Sequence, residues 1–394
     1  INNLNFNLYR KPTISKNIYC QLCTGVLKIN NMPKKDQSVL SNTIDFLRFP
    51  LIIAVVFIHC DPASMVIGGK ELVEKNTYPI YSLLRWIVSE EVAKIAVPLF
   101  FFISGFLFFY RSPSLTISDY VKKLKKRART LLIPYILWNI FIIMLFICAQ
   151  LFIPSMLSGA NKPILDKNFF EWINMFWGYP DEMPICYQFW FIRDLIVTVC
   201  LSPIICFFIR HLKFYFVAVA GMLWASGFDF NIAGLSSISI FFFSFGAWFS
   251  INSRIFTNDF SSFRWAATIY LGLLILNIFL RDYNLKYYNL ISNVNVVIGL
   301  ISVVSWVSHG LTHDFIRENK LLTNSSFFIY AYHAMIISLL LKCYVLFFRS
   351  SLNESILIVG YFIIPFIIAF IGVGLYVFLH KYFPSFTALI TGGR

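Results

Sequence analysis

Apolar residues fall in long blocks along this chain, near residues 44–60, 94–110, 131–153, 214–229, 234–251, 265–281, 289–308 and 355–380, with further blocks opening at Gln188 and after Asn324. Most of these blocks approach the ~20 residues that cross a bilayer as a helix, and they are too long for strands. The pattern predicts an all-α membrane protein, a polytopic bundle of about ten transmembrane helices. Residues 65–92 interrupt the pattern with Gly68, Gly69, Glu71, Glu74, Glu90 and Glu91, and read as a loop with an interfacial piece around Tyr81 to Val88. Residues 1–40 are polar and read as a tail. Met32-Pro-Lys-Lys-Asp within them has the form of a translation start, which would make residues 1–31 an upstream extension. Residues 41–385 then form the membrane domain, with a short C-terminal tail at 386–394.

Composition agrees with the pattern, because a chain 58% hydrophobic and only 13% charged excludes a soluble enzyme of this length. The formal net charge of +14 would suggest nucleic acid in a soluble protein, but its distribution points to topology instead. With the N-terminal tail in the cytoplasm, the inner segments carry more than twice as many Lys and Arg as the outer ones. Both termini are therefore expected in the cytoplasm, and no nucleic-acid partner is expected. The eight cysteines lie mostly in apolar blocks and make no disulfide framework. Cys20-Gln-Leu-Cys23 has no second pair, and His309 and His313 near Asp314 lack a third ligand, so no metal is expected.

Candidate chemistry begins in the first apolar helix with Arg48 and His59, since an ionisable side chain at membrane depth is costly and by default serves function. Eleven residues at about 100° each put the two on one helix face, roughly 16 Å apart along the axis. Asp45 lies one turn before Arg48 on nearly the same face. Thr116-Ile-Ser-Asp119 has the form of a capping box, and Val121, Leu124, Ala128 and Leu131 recur at helical spacing beneath six Lys and Arg. That describes an amphipathic helix on the membrane surface, whose Lys126, Arg127 and Arg129 can anchor on anionic lipid, hold phosphates, or both. Ser104-Gly105 closes a Phe-rich run and reads as a close-packing pair. Adjacent Arg193 and Asp194 point about 100° apart on a helix, so each should find a partner elsewhere, in a neighbouring helix or in a bound acceptor. Tyr330 and His333 share a face one turn apart.

The arginine and histidine of the first helix, Pro98-Leu-Phe-Phe-Phe-Ile-Ser-Gly-Phe106, Arg127-Ala-Arg129 before Pro134-Tyr135, Gln188-Phe-Trp-Phe-Ile-Arg-Asp-Leu195 and Ser326-Phe-Phe-Ile-Tyr-Ala-Tyr-His333 together resemble the motifs of the membrane-bound acyltransferase family 3, in the family's order. The chain departs from it in lacking the Trp-Ser-Leu-x-x-Glu run that other members carry beside the fourth helix. The resemblance implies a bacterial inner-membrane O-acyltransferase that moves an acyl group, often acetyl in the family, from cytoplasmic acyl-CoA to a hydroxyl of an envelope saccharide or glycolipid, with no permanently bound cofactor. It implies catalytic roles for His59 and Arg48 and donor binding by Arg127, Arg129 and Lys126. Asp45, Trp190, Arg193, Asp194, Tyr330 and His333 would serve the acceptor or the scaffold. The competing expectation is a proton-coupled transporter or exporter in which His59 relays protons, although no internal repeat of the kind such folds show is visible in the sequence.

Overall fold

The computed structural model describes residues 34–67, 70–71, 73, 77–112, 114–152, 163–180, 182–263, 265–281 and 287–393. Residues 1–33, with Cys20, Cys23 and Met32, lie outside the described residues. The architecture is a helical bundle, and its one sheet among the described residues is the two-residue pairing of β1 (Val66–Ile67) with β2 (Lys70–Glu71). The helices are α1 (Lys34–His59), α2 (Pro79–Phe109), α3 (Ile117–Phe152), α4 (Phe169–Trp177), α5 (Trp190–Cys200), α6 (Ser202–Leu212) and α7 (Phe214–Ala225). They continue with α8 (Ser237–Ile251), α9 (Phe256–Ser261), α10 (Ala266–Leu280), α11 (Tyr288–Thr312), α12 (Lys320–Phe347), α13 (Glu354–Tyr382) and α14 (Pro384–Thr391).

Among the described residues six helices, α1, α2, α3, α11, α12 and α13, are long and apolar enough to cross a membrane. A seventh crossing follows if α5 and α6, bent by 62°, count as one span. The apolar helices α7, α8 and α10 have only 12, 15 and 15 residues, so the expected ten spans are not all of crossing length. Hydropathy registers an apolar block but not whether it is long enough, so the count of ten is not confirmed.

The largest correction concerns residues 79–92, expected to be loop with an interfacial piece around Tyr81 to Val88. They are helical and run without interruption into the Phe-rich segment, with a π-type turn at Trp86–Val92 and a 3-10 turn at Ala93–Ile95. Two of the charges that suggested a loop find partners, Glu90 at the surface in Arg85 (3.4 Å) and Glu91 within the bundle. Glu354, at the start of α13, accepts hydrogen bonds from the backbone N–H of Ile80 (2.6 Å) and Tyr81 (3.0 Å), satisfying donors that a helix start leaves free. Glu91 is buried and accepts from Asn277 (2.8 Å), Tyr288 (3.0 Å) and Ser292 (3.1 Å), so a carboxylate inside the bundle keeps a full set of donors.

Phenylalanines fill the core where α2 meets α8, among them the fully buried Phe101, Phe102, Phe242 and Phe243. The two backbones touch because each contributes a glycine. A Cβ on Gly105 would run into the Phe243 carbonyl, and one on Gly246 into the Phe102 carbonyl. Gly105 therefore packs closely, as its sequence context suggests. The polar face of the amphipathic start of α3 is retained, with Thr116 capping the Asp119 N–H at 3.2 Å. The C-terminal residues expected to be a tail include α14, whose Ile390 and Thr391 are buried and whose Ile390 carbonyl accepts from Trp138 Nε1 at 3.0 Å.

Candidate active site

α1 carries one set of groups near its start and another at its end. Near the start, Arg48 pairs with Asp45 at 3.3 Å, the i,i+3 contact that the spacing predicts. Asp45 also binds Lys320 (3.2 Å), the first residue of α12, while its carbonyl accepts from the Thr323 hydroxyl (3.0 Å). Asp45 thus fixes the start of α12 against α1. The Arg48 side chain, 37% exposed, turns into a cavity of about 170 Å³ between α1, α2, α3, α5 and α12. Its walls are mostly apolar, with Ser104, Arg127, Thr323, Ser326 and Tyr330 as the polar exceptions beside Arg48. Among the described residues no carboxylate pairs with Arg127, so its charge is not spent within the protein.

The basic stretch divides at this point. Arg127 faces the cavity, whereas Lys126 and Arg129 line a separate groove of about 740 Å³ with Lys122 and Lys125, closed on its far side by Leu389 and Gly392 at the end of the chain. Positions i and i+2 of a helix lie about 200° apart, which accounts for the split.

At the other end of α1, His59 is the last helical residue and half-buried. Its ring stacks on His333 with centroids 5.5 Å apart, and the Tyr187 ring meets it edge-on at 5.0 Å. His333 is completely buried on α12. Its Nδ1 lies 2.7 Å from the Tyr330 carbonyl oxygen, which can only accept, so Nδ1 carries the hydrogen and Nε2 of the neutral ring keeps its lone pair. Among the described residues Nε2 has no hydrogen-bond partner. A buried polar atom left unpaired costs on the order of 1–3 kcal/mol, and such an atom calls for a functional account.

Tyr330 separates the cavity from the histidines. It lines the cavity, its ring centroid is 6.1 Å from that of His333, and its hydroxyl donates to the Gln188 carbonyl at 2.5 Å. The Tyr330 ring also stacks on Phe189 (5.5 Å, 8° between planes), and Gln188 Nε2 donates to the Ala331 carbonyl at 2.9 Å. The 3-10 turn Tyr187–Phe189 is in this way clasped to α12, which sets Tyr187 against His59. Burial pushes the neighbouring Cys186 thiol above its ordinary range, so it stays a neutral thiol and not a nucleophilic thiolate. The histidine pair and Tyr187 come from three elements distant in sequence, and no local motif announces Tyr187.

Arg193 and Asp194 contradict the expectation that adjacent residues cannot pair. Arg193 Nε donates to Asp194 Oδ1 at 3.1 Å, and Nη1 donates to the carbonyls of Trp177 (2.6 Å) and Glu182 (2.9 Å). The long arginine side chain reaches across the angle between their Cα–Cβ directions. Both residues are buried, and these bonds tie α5 to the end of α4 and the loop after it. Trp190 packs partly buried against the same core.

A succinoglycan biosynthesis protein, ExoH, from Rhizobium meliloti (strain 1021) is 28% identical over 174 residues, which span 42% of this chain and 42% of ExoH. No solved structure matches the chain. The acyltransferase domain family matches residues 41–374, a range that holds Arg48, His59, Arg127 and His333 together with nearly the whole bundle. The chain belongs to that acyltransferase family.

Proposed function

We propose that this protein is an integral membrane O-acyltransferase that moves an acyl group, acetyl in the simplest case, from acyl-CoA at the cytoplasmic face of a bacterial inner membrane to a hydroxyl of an envelope polysaccharide or glycolipid. The observation that carries the reading is the run of groups along α1: a cavity with two arginines, Tyr330 as its wall, and a stacked histidine pair beyond it. ExoH, named for succinoglycan biosynthesis, makes a polysaccharide acceptor the natural choice.

A cavity of about 170 Å³ takes the slender acyl and thiol arm of the donor but not its nucleotide. The nucleotide phosphates stay at the surface, on Arg127 at the cavity mouth and on Lys126 and Arg129 along the neighbouring groove. In the reaction His59 takes the proton from the acceptor hydroxyl as its oxygen attacks the thioester carbonyl. The C–S bond breaks, the ester forms, and the proton returns to the departing thiolate as free CoA thiol. Arg48 stabilises negative charge on the donor, and the stacked ring of His333 keeps the His59 imidazole in its orientation.

The direct test uses purified protein in liposomes with radiolabelled acetyl-CoA and no ion gradient. Transfer of label to added polysaccharide, or hydrolysis of acetyl-CoA without it, is the expected result. Gradient-dependent movement of solute with acetyl-CoA untouched would turn the assignment to the transporter reading. Both termini should be protected from an external protease in sealed cells, as the Lys and Arg distribution requires.

A further inference from the structure

The cavity and histidine pair leave unused a cleft of about 780 Å³, polar as well as aromatic, where α1 ends. Such a volume falls within the roughly 300–1,000 Å³ typical of small-molecule sites. Asp61, two residues past His59, forms part of its wall and accepts from Ala63 N–H (3.1 Å), Tyr81 Oη (2.6 Å) and Arg85 Nε (2.8 Å). Arg85 reaches Glu90 as well, at 3.4 Å. The floor is therefore a network of charges that already satisfy one another, not an unpaired cluster waiting for an ion.

Above that floor are flat faces. Trp86 and Tyr288 approach at 6.5 Å with 34° between their planes, the Arg281 guanidinium lies 5.2 Å from the Trp86 ring centroid, and both rings are half-buried, with area left open to the cleft. The Tyr288 hydroxyl donates to Glu91 (3.0 Å), which fixes its ring. Lys94 is held by Ser292 and Asn293, both at 3.2 Å. Aromatic faces of fixed orientation beside polar groups of both signs match one ligand class: sugar rings, whose C–H faces stack on indole and phenol while their hydroxyls donate and accept. A phosphate or an anionic headgroup would instead favour cations left free of carboxylates.

We infer that this cleft is a saccharide-binding site, with Trp86 and Tyr288 as the stacking platform and Arg281 at its edge, and that it receives the acceptor chain of the reaction. The second part of the inference rests on the proposed O-acyltransferase function, while the first does not. The cleft lies at the end of α1 away from the donor arginines, and the residues that lead out of His59 build its wall. An acceptor chain held here would be retained between successive acylations along its length.

The test separates binding from chemistry. Polysaccharide extracted from a strain lacking the gene is sedimented with proteoliposomes of the full protein, without any acyl-CoA. Wild type and His59→Gln should retain it equally. Trp86→Ala and Arg281→Ala should weaken retention by roughly tenfold, the loss expected for a stacking contact. Trp86→Phe should recover most of it, which a simple folding defect at this position would not. The same variants should raise the KM for polysaccharide in transfer while acetyl-CoA hydrolysis without acceptor stays at the wild-type rate. Absence of retention by wild type, or unchanged retention by Trp86→Ala, overturns the site. Retention that depends on Trp86 in a protein that never consumes acetyl-CoA keeps the saccharide site and removes the acyltransferase reading.

Discussion

The two ends of α1 solve different problems with different chemistry. Near its start the charged groups are partly exposed, and while Arg48 has Asp45 as a partner, Arg127 has none among carboxylates. At its end the imidazoles of His59 and His333 are wedged between Tyr187 and Tyr330, and one of them is wholly buried. Binding a polyanionic donor needs cations whose charge is not already spent on internal pairs, and those cations work best where the donor can arrive from water. Moving a proton needs a base held in one orientation with competing water kept out. A single helix joins the two, so the donor's reactive end can be drawn from the wet region toward the dry one.

The sharpest break in that comparison is His59. A general base contributes on the order of 10²- to 10⁴-fold, so His59→Gln should lose that factor in kcat with donor binding retained, and His59→Ala should be no worse. The sign of the pH effect follows, because the base must be neutral to work. The wild-type rate should fall as pH drops and the imidazole protonates, and the residual rate of His59→Gln should lack this acid limb. Near-wild-type transfer by the Gln variant would make His59 a packing residue. His333→Gln should cost less, on the order of tenfold to a hundredfold, as for a group that orients a reacting side chain and does not itself react. A larger loss at His333 than at His59 would exchange their roles.

The other end should respond in KM. Arg127→Ala should raise the KM for acetyl-CoA by about tenfold, since a charge-assisted contact to phosphate is lost, and Arg127→Lys should restore little because the paired geometry is gone. Arg129→Ala, across the helix in the groove, should give a smaller rise that salt screens more strongly. Equal effects at the two positions, in steady-state kinetics at low and high ionic strength, would mean that the cavity mouth is not the donor's entry.

Much of this contrast is legible in the sequence, and the limits have physical causes. The eleven-residue interval from Arg48 to His59 and the i,i+3 pair of Asp45 with Arg48 follow from helix periodicity alone. The separation of Arg127 from Arg129 is equally a matter of periodicity, and treating the three cations as one site overlooked it. Tyr187 could not be found, because its place beside His59 depends on Gln188 and Phe189 clasping α12 more than a hundred residues later. The helical character of residues 79–92 was hidden for a related reason. Glu90 and Glu91 look alike as solvated charges, but while Glu90 stays exposed beside Arg85 of its own helix, Glu91 is buried where Asn277 and Tyr288 arrive from elsewhere to meet it. Arg193 and Asp194 show the reverse limit, for helix angles place Cβ atoms well but say little about where a long guanidinium ends.

The smallest expected effect tests how firmly the dry end is held. Ser89 on α2 donates to the Phe57 carbonyl at 2.8 Å and meets the Tyr361 hydroxyl at the same distance, so the last turn of α1 is fastened to α2 and α13 at once. Glu354 completes that fastening by capping the start of α2 from α13. Glu354→Ala removes the cap and should cost about 1 kcal/mol, seen as a fall of about 1 °C in thermal unfolding of the detergent-solubilised protein. Because Ser89 and Tyr361 still hold the helix end, kcat and the KM for acetyl-CoA should stay close to wild type. A large drop in kcat at unchanged KM would show that the histidine pair depends on the angle at which α2 enters the bundle. The dry end of α1 would then be the more deformable of the two, the opposite of what its packing implies.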